Sequence, residues 1–288
     1  NVYDQTLIAG SEFTIPYFYS YTNLAVMTTT PTYSSSAMNS LFASADMSFK
    51  NQLFLTVTGR QDWFSVLNPA NNSIFYPSVG GSWILTESFD LPASVSFAKL
   101  RASWAQVGGA TVNPYVIYPT YRMIQGGHNG RPVQQVGSSQ VPNPNLRPLT
   151  STTYEFGFDA KFFQNRLGID FTVYNRKTTD DIVQTSIANS SGYTSALLNV
   201  GELSNKGSEL LMSGTPLRES KVKWDVSYNI AYNQSKIENL AEGLNYVDVG
   251  SGVGGGSVRN VLNRPYGTIW GYRKLTDNNG NIVYNTAS

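Results

Sequence analysis

The chain has 288 residues, with 20 Lys and Arg against 19 Asp and Glu, one His and no Cys. A formal charge of +1 leaves no basic footprint for nucleic acid, and the missing thiols exclude thiolate nucleophiles, zinc–thiolate sites and a disulfide framework. Charged residues make up 14%, against roughly 25% in an ordinary soluble domain, while 13% are aromatic, so apolar surface is plentiful and solvating charge is scarce.

Along the chain, period two dominates and helical spacing is rare. Residues 43–60 predict a hairpin about Lys50-Asn51, with Leu53, Leu55 and Val57 on one face and Phe49 and Phe54 interrupting the alternation. Residues 75–86 are a weaker strand. Leu100, Ala102 and Trp104 then alternate with Lys99, Arg101 and Ser103. Tyr154, Phe156, Phe158, Ala160 and Phe162 share one face, with Glu155, Gly157, Asp159 and Lys161 on the other. After a tight Gln164-Asn165 turn, Leu167, Ile169, Phe171 and Val173 repeat the pattern against Gly168, Asp170, Thr172 and Tyr174. Residues 206–214 are another weak strand. Val222, Trp224, Val226, Tyr228, Ile230 and Tyr232 form a further apolar row, and residues 266–274 a last candidate.

Several of these segments keep alternating for about 10 residues, the length a tilted membrane strand needs, whereas soluble strands usually run ~5 to 6. Their second face carries Gly, Ser, Thr and Asn rather than Lys and Glu, which suits a wet lumen. Connections alternate between short turns and long linkers. The linkers are roughly 12 residues around Asn68-Pro69, 40 over 109–151, 28 over 177–204 and 30 over 236–265. In a meander this order places every long loop at one end, as in outer-membrane barrels. No apolar run reaches the ~18 to 20 residues of a membrane helix, and residues 1–10 lack the order of a secretion signal. The fold class is therefore all-β: a transmembrane antiparallel β-barrel, of which residues 1–288 form a portion with long extracellular loops. The competing architecture is a soluble or surface β-sandwich, a glycan-binding or adhesin module whose alternation would face a dry core.

Five stretches in order resemble one family. They are Phe75-Tyr76-Pro77-Ser78-Val79-Gly80-Gly81-Ser82-Trp83, Lys99-Leu100-Arg101-Ala102-Ser103-Trp104, Asn143-Pro144-Asn145-Leu146-Arg147-Pro148, Tyr174-Asn175-Arg176-Lys177-Thr178-Thr179-Asp180 with Asn199-Val200-Gly201, and Pro265-Tyr266-Gly267 with Ile269-Trp270-Gly271-Tyr272. Together they are similar to SusC/RagA-type TonB-dependent outer-membrane transporters of the Bacteroidota. That resemblance implies part of a 22-stranded barrel, with the plug, the TonB box and the last strands outside this sequence; Asn285-Thr286-Ala287-Ser288 lacks a terminal aromatic. It also implies uptake of oligosaccharides or oligopeptides at the cell outer membrane, with a SusD-like surface lipoprotein as lid, TonB as energy source, outer-membrane lipid around the wall, and no cofactor.

Candidate contacts for ligand or partner lie in the long loops: Tyr118, Tyr121, Arg122, His128, Arg131 and Trp270. The leading reading of His128 by itself is a solvated turn residue, with ligand contact the lesser one. No G-x-S-x-G elbow accompanies it, so no enzyme is expected. The glycine run at 250–256 lacks the Lys and Ser or Thr of a phosphate loop. Asp277-Asn278-Asn279-Gly280-Asn281 lacks the closing acid of a calcium loop and reads as a hairpin turn, and no metal site is expected. Trp104, Tyr154, Trp224, Tyr228 and Tyr232 fit interfacial girdles, with Tyr174 turned inward.

Overall fold

A computed structural model describes residues 2–9, 13–20, 23–24, 27–110, 112–124, 127–217, 222–240, 243–251, 255–274, 276 and 279. The turn expected over 277–281 (apart from Asn279), the end at 285–288 and Gly254 of the glycine run lie outside the described residues. β1 (Val2–Ala9) and β2 (Met27–Ser34) pair antiparallel. β3 (Met38–Phe49), β4 (Leu53–Phe64), β5 (Ser73–Ile84) and β6 (Val95–Gly109) follow as a meander. The next connection carries β7 (Tyr121–Ile124), β8 (Val133–Val136) and β9 (Gln140–Val141). The meander resumes with β10 (Leu149–Phe162), β11 (Leu167–Ser186), β12 (Ser195–Leu217) and β13 (Trp224–Asn239). β14 (Tyr246–Ser251), β15 (Ser257–Val261) and β16 (Thr268–Trp270) make a separate three-stranded sheet.

Eight long strands lie side by side in the order β3-β4-β5-β6-β10-β11-β12-β13, and β9 joins β12 in parallel. The tight turns use left-handed backbone at Lys50 and Asn51 and at Phe163, Gln164 and Asn165. Neighbouring short turns are stitched together: Ile84 N–H donates to Gln52 O at 2.7 Å, Phe163 N–H to Ser94 O at 2.8 Å, and Thr215 N–H to Arg166 O at 2.8 Å. All the short turns therefore share one end, and the long connections share the other.

Register decides the faces. Phe49, Leu53, Trp83, Leu100, Phe158, Phe171, Leu210 and Ile230 fall in one row across all eight strands. Three residues along, and hence on the opposite face, run Asp46, Thr56, Gly80, Ser103, Glu155, Tyr174, Gly207 and Asn233. Among the described residues no second layer covers the apolar row. Phe49 is 59% exposed, Phe156 51% and Ile230 52%. A sandwich would bury these side chains, so the architecture is one wall of an unclosed barrel with a hydrocarbon-facing side. Phe49 keeps the pattern rather than breaking it, while Phe54 shares the face of Thr56.

Buried apolar clusters lie instead among the long connections. Phe64, Val66, Leu67, Ile117 and Leu146 form one, and Ile237, Leu240 and Val247 the other. The wall is thus solvated by lipid, and the layer beyond its long-loop end is packed like a soluble protein.

Four loop expectations need correction. The stretch 177–204 is not a free linker: β11 and β12 run 20 and 23 residues, and only 187–194 connects them. Outside the bilayer both faces meet water, so these outer extensions lose alternation while keeping their ladder. A bulge at Asp180, itself left-handed with φ 57°, also shifts the phase. The stretch 236–265 contains the end of β13 and the β14–β15 hairpin. The 109–151 stretch carries the β7–β8 hairpin, and the loop around Asn68-Pro69 shrinks to 65–72. Of 266–274, only Thr268–Trp270 is strand.

Candidate functional site: polar wall and outer loops

On the polar face, Lys99 and Arg101 stand two residues apart on β6, so both project to the same side. Lys99 Nζ meets Asp159 Oδ2 at 2.7 Å. Arg101 donates to Asp159 and Thr172, and its Nη2 lies 2.5 Å from Asp170 Oδ1. The reach crosses β10 at Gly157, where a Cβ would sit 2.4 Å from Arg101 Nε. The absence of a side chain is what lets one guanidinium join three strands. Tyr174 repeats the device over Gly207: its hydroxyl accepts from Asn233 Nδ2 at 2.8 Å, and a Cβ on Gly207 would meet it at 2.5 Å. Tyr174 is turned inward as expected, but its hydroxyl serves the neighbouring strand.

Nearer the long-loop end, buried Asp62 accepts from the Tyr76 hydroxyl and from Arg60 Nε at 2.7 Å. Arg60 also donates to Ser40 at 3.1 Å, so β3, β4 and β5 are tied through the Arg60–Asp62 pair. On the polar face, the charges of Arg101 with Asp159 and Asp170, and of Arg60 with Asp62, are paired and oriented, a hydrophilic lining.

Beyond the bilayer, the Asn143–Pro148 motif is a latch. Asn143 Nδ2 donates to Leu197 O at 2.8 Å, and Asn199 accepts from Arg147 N–H at 3.0 Å. Asn199 Nδ2 also donates to Arg147 O and Asp180 O, each at 2.7 Å. Arg147 Nη2 pairs with Asp180 at 2.9 Å, and Leu146 is fully buried beneath. The neighbouring half-buried Asp181 has its carboxyl raised above the ordinary range by burial, opposed by the Ile182 backbone N–H.

Of the expected contact residues, Tyr121 and Arg122 lie on β7, His128 and Arg131 in the connection to β8, and Tyr118 shortly before, all exposed. Arg122 faces the Gln135 side-chain amide across the hairpin. The His128 imidazole sits 3.2 Å from the Asn129 amide. Trp270 belongs to a different sheet, where Arg259 stacks over Tyr246 at 4.4 Å and Trp270 at 5.7 Å and pairs with Asp248 at 2.8 Å. Sequence reasoning missed Arg101, Gly157 and Asp170; a glycine facing an arginine on the polar phase of adjacent strands was the available signal. Among the described residues no three His, Cys, Asp or Glu side chains converge as a metal site would require.

An antiparallel wall, apolar outside and polar inside with all long loops at one end, defines an outer-membrane β-barrel. The chain belongs to the TonB dependent receptor-like β-barrel family, matched over residues 3–285. It is 29% identical over 252 residues to TonB-dependent receptor P26 of Formosa agariphila, an alignment covering 85% of this chain and 25% of that protein. It is 26% identical over 260 residues to TonB-dependent receptor SusC of Bacteroides thetaiotaomicron, covering 85% and 26% respectively. The RagAB peptide importer in its closed-closed state has the same fold, with a TM-score of 0.75 at 21% identity over 92% of this chain and 31% of that one. The chain spans about a quarter of the length of the curated relatives it matches.

Proposed function

We propose that this chain is barrel wall of a SusC-like importer, which takes oligosaccharides or oligopeptides across the outer membrane. In this reading a plug closes the lumen, TonB supplies energy from the periplasm, and a SusD-like lipoprotein caps the long loops. The wall itself performs no covalent chemistry and needs no cofactor. Its task is to present hydrocarbon with one face and a wet path with the other. Tyr118, Tyr121, Arg122, His128, Arg131 and Trp270 are the proposed contacts at the outer end. The observation that carries the reading is the eight-strand apolar row backed, three residues away on the opposite face, by a polar row.

Deleting the gene and measuring uptake of fluorescent oligosaccharides and oligopeptides tests it. Loss of uptake of one class, restored by the full-length gene but not by one lacking its TonB box, is the expected result. Undiminished uptake of both classes, or energy-independent uptake, would refute it. Exchanging residues 109–151 for another family member's loop should change partner or ligand affinity and leave barrel insertion intact.

A further inference from the structure

We infer that the β7–β8 hairpin and its flanks dock a protein whose facing surface is rich in Asp and Glu. From residue 91 to residue 154 the chain has no Asp or Glu, and over 109–151 it has no Lys either. The cationic side chains of that loop are Arg122, Arg131 and Arg147, with His128 beside them. Arg147 is occupied by Asp180. Arg122 meets a neutral amide, and among the described residues neither Arg122 nor Arg131 reaches a carboxylate. Tyr118, Tyr121 and Met123, each more than half exposed, stand on the same segment.

Arg, Tyr and Met without Lys, Asp or Glu is the composition that separates the centre of a protein–protein interface from ordinary surface. The hairpin needs a cover as well. Two strands of four residues are marginal by themselves in water, and among the described residues β7 and β8 pair only with each other. A small anion could neutralise the arginines but would leave the rings and Met123 wet. A protein face satisfies both. The inference rests on the capped-importer reading for its partner, the surface lipoprotein, and adds the loop and the sign of the charge.

The test uses the full-length transporter co-isolated with its lipoprotein from outer membranes. Arg122→Glu with Arg131→Glu should weaken the complex about a hundredfold, and exchanging the opposing carboxylates for Lys should restore it. Raising the salt concentration should weaken the wild-type complex more than the doubly reversed one. Lys161→Glu at the short-turn end should leave affinity unchanged, and heat-modifiable gel migration should verify that every variant folds. A photo-crosslinker at Tyr121 should capture an acidic segment of the lipoprotein. A wild-type complex that tolerates the double reversal overturns the docking surface and leaves the lid intact. Absence of any lipoprotein with the wild type removes both.

Discussion

Arg101 spans three strands because residue 157 has no side chain to stop it. In full-length barrel refolded into liposomes, Gly157→Val should lift the guanidinium off Asp170 and Thr172, lowering stability by about 1–3 kcal/mol in urea unfolding. Adding Arg101→Ala to that variant should cost little more, because both changes remove the same bridge; fully additive losses would contradict it. Asp181 makes a second prediction, in the outer extension of β11. Its folded carboxyl lies above the ordinary value near 3.8 because burial favours the neutral form. The native state then binds protons more readily than the unfolded chain, so the penalty is complete at neutral pH, fades as pH falls through the raised folded value, and is gone below the ordinary one. Asp181→Asn should stabilise the protein at pH 7 and lose that advantage in acid. An advantage constant down to pH 3 would exclude a role for ionisation.

At the scale of elements, the hairpins were readable because each needs only local information. Lys50-Asn51 and Gln164-Asn165 accept left-handed backbone, and the flanking alternation sets the pairing. The outer ends of β11 and β12 were not readable, because hydrogen-bonded strands in water need no apolar phase and the Asp180 bulge resets the count. The Asn143–Pro148 run was visible as a motif, yet its work as a latch depends on Asn199, 52 residues from Arg147. Asn199→Ala should release that run from the β11–β12 extension. Trypsin cleavage after Arg122 should rise severalfold in intact outer membranes, with insertion unchanged, while Pro132 and Pro148 protect the bonds after Arg131 and Arg147. Equal cleavage in variant and wild type would show that the latch does not hold the loop.

Across the whole molecule, one-residue register separates lipid from lumen. Phe156→Arg places a cation on the hydrocarbon side and should cost about 2–4 kcal/mol if near the bilayer midplane. Ser103→Arg on the polar side should cost less than about 1 kcal/mol. Folding titrations of the full-length barrel into liposomes measure both, and equal costs would erase the distinction between faces. The chain's own order of residues determined the alternating faces, the short turns and the segregation of long connections, since each follows from neighbours within a strand or two. Tertiary structure alone decided which residues meet. Arg101 finds Asp159 and Asp170 at separations of 58 and 69 residues, and the eight-strand apolar row exists only once every register is set. Side-chain period is local, whereas register is a cooperative property of the sheet, so an alternating sequence specifies a wall before it specifies the contacts across that wall.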